Sequence, residues 1–311
     1  MGTYGDKEEE IIDIMKERKI DMLGMAEMRV RGCEEGKEMG EGFVLMYCGV
    51  REGIRKHGVG IIVGPRLSPC IQRVKIINER LMMCVLKIGR IKYRIYQIYA
   101  PQQGHSEEEK TRFMELMEEE VGVEEEGERC LLMGDFNARV GKRREMERVL
   151  GPFGEDTRNM EGEALIDFCV RNDLKIMNTF FKHRESHIFT RYRWNQVTQQ
   201  FDQKSVIDYM IVSDKRMVKN VKVIPGVSLD ADHRLVVADM KIRGEGGVNE
   251  QKRAVIRVEK LEEQETRRNY EREMQETLRN EEENEDLQDV IKEVAEKTLG
   301  KRWQLREKQG K

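Results

Sequence analysis

The stretch Cys130-Leu-Leu-Met-Gly134-Asp135-Phe-Asn137-Ala-Arg139 begins as an apolar run and ends abruptly in turn-forming and polar residues. An apolar run this short is typical of a buried strand. Gly134 allows the backbone to turn or to approach a ligand closely, because it has no Cβ. Asp135 and Asn137 then follow a core strand, at the end where open α/β sheets place their ligands. A lone Asp-x-Asn is more often an ordinary Asx turn than a ligand-binding site, so other segments of the chain must decide between these two interpretations.

Short apolar or alternating runs separated by Gly, Pro and Asn dominate the first half of the chain, and they predict a meander of antiparallel strands. Ser106, followed three residues later by Glu109, is a capping-box pattern that predicts the start of a helix. The predicted strands cover residues 20–24, 43–50, 58–63, 71–77, 81–88, 91–98, 130–133, 174–177, 205–213, 221–227 and 235–242, and the predicted helices cover residues 7–18, 106–121 and 162–172.

Four further polar groups follow or interrupt predicted strands. Glu27 lies just past one strand, and Tyr99 ends the meander before Pro101. Asp208 stands inside a strongly apolar strand, where a buried carboxylate needs a partner, and Asp232-His233 precedes the last strand. Each has an ordinary interpretation, such as a surface glutamate or a core tyrosine with a solvated hydroxyl group.

Composition limits the function classes. The 311 residues are 38% hydrophobic and 37% charged, with a formal net charge of -3. The protein is therefore not a polycation, and any nucleic-acid contact must come from local basic patches. No apolar run approaches the roughly 20 residues of a membrane span, and the acidic start has no apolar signal core, so we expect no membrane partner. The oligomeric state is not predictable from these features.

Six cysteines are scattered along the chain without a Cys-x-x-Cys pair, which argues against a zinc site. Cys48, Cys84, Cys130 and Cys169 lie in apolar segments, where a free cysteine behaves as a small hydrophobic residue. This usage predicts a reducing compartment, nuclear or cytoplasmic.

The segment Arg191-Tyr192-Arg193-Trp194 interleaves cations with aromatic rings. As a loop, it could stack on bases and pair with phosphates. The alternative is a solvated turn with the Trp194 side chain folded into the core.

The sequence changes character after residue 243, where apolar residues become sparse and charges dense. We therefore predict one domain over residues 1–243, followed by a charged, partly helical extension over residues 244–311 that is more solvated than globular.

Together, the polar strand ends supply what phosphodiester hydrolysis requires. Carboxylates can hold Mg²⁺, which stabilises the leaving oxyanion. A histidine beside an aspartate can stay charged and polarise phosphate oxygens. A second aspartate can orient and deprotonate the attacking water.

The order of these motifs resembles the endonuclease/exonuclease/phosphatase superfamily. The matching segments are Leu23-x-x-x-Glu27-x-Arg29, Tyr99-Ala-Pro101, Gly134-Asp-Phe-Asn137, Ile207-Asp208-Tyr209 and Asp232-His233. A narrower resemblance, to the endonuclease domains of LINE-type (RTE-like) retrotransposons, is carried by residues 165–169, 172–174, 178–181 and 190–194. The resemblance covers residues 7–242 and implies an α/β fold in a two-sheet, four-layer sandwich like that of AP endonucleases and DNase I.

The resemblance also implies roles. Glu27 would ligate Mg²⁺, or Mn²⁺ as an alternative, and Asp232 would help to hold the metal or its waters. Asp135 would activate water, while Asn137 and Tyr99 would bind the scissile phosphate of DNA. Asp208 would pair with His233, which would contact the phosphate.

One departure from the family pattern concerns its first strand, which ends in a metal-supporting Asn. Met1 falls directly before the predicted helix at residues 7–18, so we expect this strand to be missing. Loss of a supporting group commonly costs about 10–100-fold in metal affinity or activity. The sequence therefore predicts a Mg²⁺-dependent DNA endonuclease with impaired activity. The alternatives are a degenerate domain that binds nucleic acid or protein without cutting, and a phosphatase of the same fold.

Overall fold

The protein is described by a computed structural model that covers residues 7–50, 57–122, 127–195, 200–226, 232–241, 252–256, 260–261, 263–280 and 287–305. Its helices are α1 (Glu8–Arg18), α2 (Glu107–Val121), α3 (Met160–Arg171), α4 (Gln264–Asn280) and α5 (Leu287–Leu299). Its strands are β1 (Met22–Met25), β2 (Cys33–Glu38), β3 (Val44–Cys48), β4 (Val59–Val63), β5 (Ile71–Asn78), β6 (Leu81–Ile88), β7 (Ile91–Tyr99), β8 (Glu128–Asp135), β9 (Lys175–Ile176), β10 (Arg191–Asn195), β11 (Gln200–Ser205), β12 (Asp208–Val212), β13 (Val218–Ile224), β14 (Leu235–Met240), β15 (Lys252–Ile256) and β16 (Lys301–Leu305).

The strands up to β14 form two main sheets and two hairpin-like pairs. One sheet has six strands in the order β5-β6-β7-β8-β12-β9, and the other has four in the order β1-β4-β3-β2. Neighbours are antiparallel except β7 and β8, which are parallel. That exception follows from their connection, because a parallel pair needs a long crossover and α2 supplies it. The remaining pairs are β10–β11 and β13–β14.

Side-chain alternation along the strands builds three apolar layers. In β6, Leu81 and Met83 pack with α2 and α3, whereas Met82 and Cys84 pack with the four-stranded sheet. A third cluster joins α1 to the outer face of that sheet through Met15 and its neighbours. The order is therefore α1, four-stranded sheet, six-stranded sheet, and α2 with α3. This confirms the predicted two-sheet, four-layer α/β sandwich.

The capping box predicted at Ser106 is also confirmed. The Ser106 hydroxyl accepts a hydrogen bond from the Glu109 amide at 3.3 Å, and the Glu109 carboxylate accepts one from the Ser106 amide at 3.3 Å. Both bonds satisfy N–H groups that the first turn of α2 would otherwise leave unpaired.

Two strands next to the candidate site are paired along one edge only. Within the described residues, β1 pairs with β4 and β14 pairs with β13. Both strands line a cavity of about 1380 Å³, whose other walls include Ile11 of α1 and Leu131 and Met133 of β8.

Three local predictions need correction. Strand β2 was not predicted, because its sequence Cys-Glu-Glu-Gly-Lys-Glu has no apolar run. The segment Arg191–Trp194 is not a loop but most of strand β10, paired with β11. Cys48 is not a free cysteine, because it forms a disulfide with Cys33 across β2 and β3. The nuclear or cytoplasmic location stays a prediction.

The extension contains the helices α4 and α5. It also contains the antiparallel pair β15–β16, which was not predicted. Val294, Ala295 and Leu299 of α5 are buried, so part of the extension is packed. The predicted domain boundary after residue 243 lies outside the described residues. Among the described helices, none combines the length and apolar character of a membrane span.

Candidate active site

The site begins where β8 ends and β12 starts. These strands run antiparallel with Asp135 directly opposite Asp208, so two carboxylates face each other across one strand pair. Gly134 makes this end of β8 possible. It has a φ of +136°, and a Cβ there would lie 2.0 Å from the carbonyl oxygen of Ile98 on β7. Only glycine tolerates both conditions.

His233 joins the two aspartates. Its backbone forms an antiparallel bridge with Arg191 of β10, which holds the segment before β14 beside the site. Its Nδ1 lies 3.1 and 3.0 Å from the two carboxylate oxygens of Asp208, and its Nε2 lies 3.9 Å from Asp135 Oδ2. One ligand atom from each of the three residues lies within 4.8 Å of the others. The structure therefore brings together three residues that the sequence analysis selected from distant segments.

Burial and neighbouring charges shift the pKa values of Asp135 and His233. Burial raises the pKa of Asp135, the neighbouring charge of Asp208 raises it further, and the pKa reaches about 7. Burial by itself lowers the pKa of His233, but the carboxylates of Asp208, Asp135 and Asp232 outweigh it and raise that pKa to about 9. At neutral pH His233 is thus a cation that donates from Nδ1 to Asp208, while Asp135 is protonated more readily than an ordinary aspartate.

Asp208 is held by two residues that the sequence analysis did not select. The buried hydroxyl of Thr190 accepts hydrogen bonds from the backbone amides of Ile207 and Asp208, at 3.1 and 3.2 Å. Asn178 donates to the Asp208 carbonyl at 3.0 Å and accepts from the amide of Met210 at 2.9 Å. Thr190 and Asn178 lie in the segments 190–194 and 178–181 that carry the narrower family resemblance, but nothing in the sequence connects them to Asp208.

Asn137 fixes the turn after β8. Its backbone, with a φ of 48°, lies in the left-handed region. Its backbone amide donates to Asp135 Oδ1 at 2.9 Å. Its side-chain Nδ2 donates to the Ala100 carbonyl at 2.9 Å and contacts Asp135 Oδ2 at 3.4 Å. Asn137 therefore orients Asp135. The contact with phosphate expected for Asn137 stays a prediction.

Glu27 and Tyr99 form a second polar group beside the first. The Tyr99 hydroxyl donates to Glu27 Oε1 at 2.7 Å, and Gln102 Nε2 contacts both, at 3.3 Å to Glu27 and 3.1 Å to Tyr99. Burial and then the bond to Glu27 raise the pKa of Tyr99, so the hydroxyl stays protonated. Glu27, with a φ of 53°, also has a left-handed backbone. It lines the same cavity as Asp135 but lies outside the compact three-residue group.

Asp232 is also outside that group. Its Oδ1 is 4.0 Å from His233 Nε2, while its Oδ2 accepts a hydrogen bond from Arg191 Nε at 2.7 Å. Burial opposes its ionisation, but Arg191 and His233 outweigh that effect and lower the pKa of Asp232. Asp232 therefore remains a carboxylate, with one oxygen already bonded to arginine.

The remaining residues of the predicted nucleic-acid segment have different positions. The guanidinium of Arg234 stacks 3.6 Å from the centre of the Tyr192 ring, so Tyr192 is already covered on one face. Arg193 is exposed on β10. The side chain of Trp194 lies outside the described part of the structure.

The donor set fits a hard divalent cation. One cavity is lined by His233 and by the carboxylates of Glu27, Asp135, Asp208 and Asp232. Two of these carboxylates also pair with arginines, Glu27 with Arg29 at 3.4 Å and Asp232 with Arg191 at 2.7 Å. Burial and then the neighbouring charge of Asp208 raise the pKa of Asp135, and a bound cation would offset both effects. Oxygen donors suit Mg²⁺ or Mn²⁺.

Comparison with known proteins places this geometry in context. No protein-family model matches the chain. Over 238 residues, 75% of the chain, the sequence is 28% identical to craniofacial development protein 2 of Tragulus javanicus and to that of Bos taurus. The chain spans 40% and 39% of the length of these relatives.

Several solved structures share the fold. The catalytic domain of Xenopus laevis APE2 has a TM-score of 0.55 at 15% identity, covering 74% of this chain and 86% of that one. The 3′ phosphatase NExo from Neisseria, bound to a product DNA hairpin, has a TM-score of 0.54 at 14% identity, with 77% and 96% covered. The endonuclease domain of TRAS1, a telomere-specific non-LTR retrotransposon, has a TM-score of 0.50 at 13% identity, with 76% and 92% covered. The resemblance found in the motifs is confirmed at the level of the fold.

Proposed function

We propose that this chain, whose fold is that of the endonuclease/exonuclease/phosphatase superfamily, hydrolyses phosphodiester bonds in DNA as a metal-dependent endonuclease. One observation carries the proposal, namely the convergence of Asp135, Asp208 and His233 on a cavity that Glu27 and Asp232 also line. Carboxylates and a charged imidazole in one cleft supply the base, the cation site and the phosphate contact that this reaction needs.

In this proposal Asp135 accepts the proton of the attacking water. Burial and the charge of Asp208 raise the pKa of Asp135 in the metal-free site, which makes its carboxylate a stronger proton acceptor than that of an ordinary aspartate. Asn137 holds both carboxylate oxygens of Asp135, so the base is kept in one orientation. The water must approach Asp135 from the cavity, since the other side of the carboxylate is occupied by the turn.

His233 would bind the non-bridging oxygens of the phosphate through Nε2. Asp208 bonds to Nδ1, which fixes the ring orientation and keeps the imidazole charged at neutral pH. A fixed positive charge stabilises the negative charge that develops on the phosphate in the transition state. Tyr99 would donate to the phosphate once its bond to Glu27 is released or shared.

Glu27 and Asp232 would hold Mg²⁺ or Mn²⁺ beside Asp135. The bound cation would neutralise phosphate charge and stabilise the leaving oxygen. Both carboxylates line the same cavity as Asp135, which supports this assignment.

A plasmid-nicking assay with Mg²⁺ tests the proposal. We expect the unmodified chain to convert supercoiled DNA to the open-circular form, and His233→Ala and Asp135→Ala to lose at least about 100-fold in rate, as is usual for charge-stabilising groups. Asp173→Asn is a matched control, because the Asp173 side chain is 94% exposed and, within the described residues, forms an ion pair only with Lys175. Equal background nicking by all variants would refute the nuclease proposal.

Binding without cleavage is the second candidate, and one observation favours it. Glu27 is engaged by Tyr99 and Gln102 and stands outside the three-residue group. If this arrangement persists when Mg²⁺ is added, the metal lacks a ligand. DNA retention in a filter-binding assay without nicking at any Mg²⁺ or Mn²⁺ concentration would support this candidate against the first.

A further inference from the structure

Glu155 is a buried acidic residue that the proposed reaction does not use. It lies in the connection between β8 and α3 and is 6% exposed. Its Oε2 accepts hydrogen bonds from Nε and Nη2 of Arg139, the first of them at 3.0 Å. Its Oε1 accepts one from the backbone amide of Val206 at 3.2 Å. The carboxylate therefore bonds to two different segments of the chain, one through each oxygen.

These two segments carry the aspartates of the candidate active site. Arg139 follows Asp135 by four residues. Val206 precedes Asp208 by two residues. Asp135 and Asp208 face each other across the β8–β12 pair, so their separation depends on how the two segments are held together. Glu155 thus cross-links the supports of the two carboxylates.

The segment before Asp208 is held by bonds outside the strand ladders. Residues 206 and 207 lie between β11 and β12, and all four of their backbone polar groups are bonded. The Val206 carbonyl accepts from the Tyr209 hydroxyl at 2.6 Å, and the Ile207 carbonyl accepts from the Phe136 amide at 2.9 Å. The amide of residue 207 donates to a hydroxyl, and that of residue 206 donates to the buried carboxylate. Among these partners only the carboxylate is charged, and hydrogen bonds to charged groups are the stronger ones.

The other end of the cross-link is anchored to a helix. The backbone amide of Arg139 donates to Asn159 Oδ1 at 2.8 Å, and its carbonyl accepts from the Asn159 amide at 3.1 Å. Asn159 is the N-cap of α3, where the same Oδ1 accepts from the amide of Gly162 at 2.9 Å. The guanidinium of Arg139 connects this anchor, through Glu155, to the start of β12.

The burial of this ion pair favours a positional role over a purely stabilising one. The side chain of Glu155 is 3% exposed and that of Arg139 is 31% exposed. Desolvation offsets much of the attraction between buried charges, and packed apolar residues often replace such pairs without loss of stability. A buried carboxylate does fix geometry, because both of its oxygens must keep their donors or be left unsatisfied.

We infer that Glu155 is a positioning residue, which holds Asp208 and the turn after Asp135 at the separation that catalysis needs. The inference rests on the proposed function for the reaction, whereas the geometry can be tested without DNA. Glu155 acts through Arg139 and Val206 and contacts none of the reacting atoms.

Glu155→Gln tests the inference, because glutamine has one oxygen where glutamate uses two. That oxygen can accept from Arg139 or from the Val206 amide, and the NH₂ group then faces the other donor. In the metal-free protein we expect the amide NMR signal of Val206 to shift. We also expect the Nδ1–H signal of His233, which is bonded to Asp208, to broaden or disappear.

Glu147→Gln is the matched control. Glu147 also forms an ion pair in the connection between β8 and α3, with Arg158, whose side chain is 5% exposed. Within the described residues, the hydrogen bonds of Glu147 reach only Arg144 and Arg158. The control should therefore leave the His233 signal unchanged. Loss of that signal in the control as well would overturn the inference.

Thermal melting shows which variants are folded. An unchanged His233 signal in folded Glu155→Gln would overturn the inference. If Glu155→Gln does not fold, Arg139→Gln decides in its place, because this side chain is partly exposed and the bond to Val206 is kept. The expected change is then in the same direction but smaller, and an unchanged His233 signal again overturns the inference.

Single-turnover nicking at saturating DNA connects this geometry to the reaction. Folded Glu155→Gln should lose about 10–100-fold in rate, as is usual for residues that orient a site, while its affinity for duplex DNA in EDTA stays within about twofold. An unchanged rate in the folded variant would overturn the inference. If the unmodified chain does not cut DNA, the nuclease proposal fails, and the His233 signal still decides whether Glu155 positions Asp208.

Discussion

The pairing of His233 with Asp208 makes a prediction that does not depend on any substrate. The perturbation is Asp208→Asn, which keeps the size of the side chain and removes its charge. In the unmodified protein, burial lowers the pKa of His233, and Asp208 contributes most to the opposing increase that brings it to about 9. Without that carboxylate, the pKa of His233 should fall most of the way toward its ordinary value of 6.5.

The magnitude follows from the two pKa values. The difference between 6.5 and about 9 corresponds to about 3 kcal/mol, at about 1.4 kcal/mol for each tenfold change in proton affinity. The His233 side chain is only 27% exposed, so solvent screening reduces this figure modestly. Asp135 and Asp232 remain in the variant and keep part of the increase. We therefore expect Asp208→Asn to remove most of the 3 kcal/mol rather than all of it.

The assay is an NMR titration of histidine Cε1–H signals in EDTA between pH 5 and 10.5. The chain has five histidines, and His233→Gln assigns the signal that disappears. His183 and His187 are internal controls, because they bond to the Asn220 side chain and the Val223 carbonyl, away from the substitution. A His233 pKa near 6.5 in the unmodified protein, or one still near 9 in Asp208→Asn, would refute the reasoning.

Three more predictions concern stability, measured as the free energy of unfolding in urea. Because folding raises the pKa of His233, this residue contributes its full share of folding stability below pH 6.5 and loses it as the pH rises through about 9. The free energy of unfolding of the metal-free protein should therefore fall by up to about 3 kcal/mol over this range, and that of His233→Gln should fall clearly less. Thr190→Val should cost about 2 kcal/mol, because two backbone amides lose their acceptor in the core, and an unchanged value would contradict that role. Gly134→Ala should cost at least about 3 kcal/mol or prevent folding, since its Cβ would meet the Ile98 carbonyl at 2.0 Å, whereas Gly104→Ala, with open space around it, should change stability little.

Much of the layered fold could be predicted because the inner strands carry apolar runs. The alternation of Leu81, Met82, Met83 and Cys84 already assigns two buried faces to β6, and the structure confirms both. Strand β2 escaped prediction for the opposite reason, since an edge strand of mainly charged residues has no apolar pattern to detect. Strand β10 could have been found, because Tyr192 and Trp194 alternate with arginines at the period of a strand.

The residues of the candidate site were predictable, and the family resemblance implied the Asp208–His233 pair, but the other contacts of the site were not predictable. Asp135, Asp208 and His233 were identified because each lies at the end of a strand or interrupts an apolar one. Their distances depend on which strands become neighbours, and a single sequence does not specify the β8–β12 pairing.

The left-handed backbone at Glu27 has an evolutionary consequence. A non-glycine residue in this region costs on the order of 1 kcal/mol that glycine would not. A glutamate is therefore kept there against stability, as long as its carboxylate is useful. Glycine at position 27 would remove that backbone cost but also the carboxylate that bonds to Tyr99 and lines the cavity, so this position sets backbone ease against site chemistry.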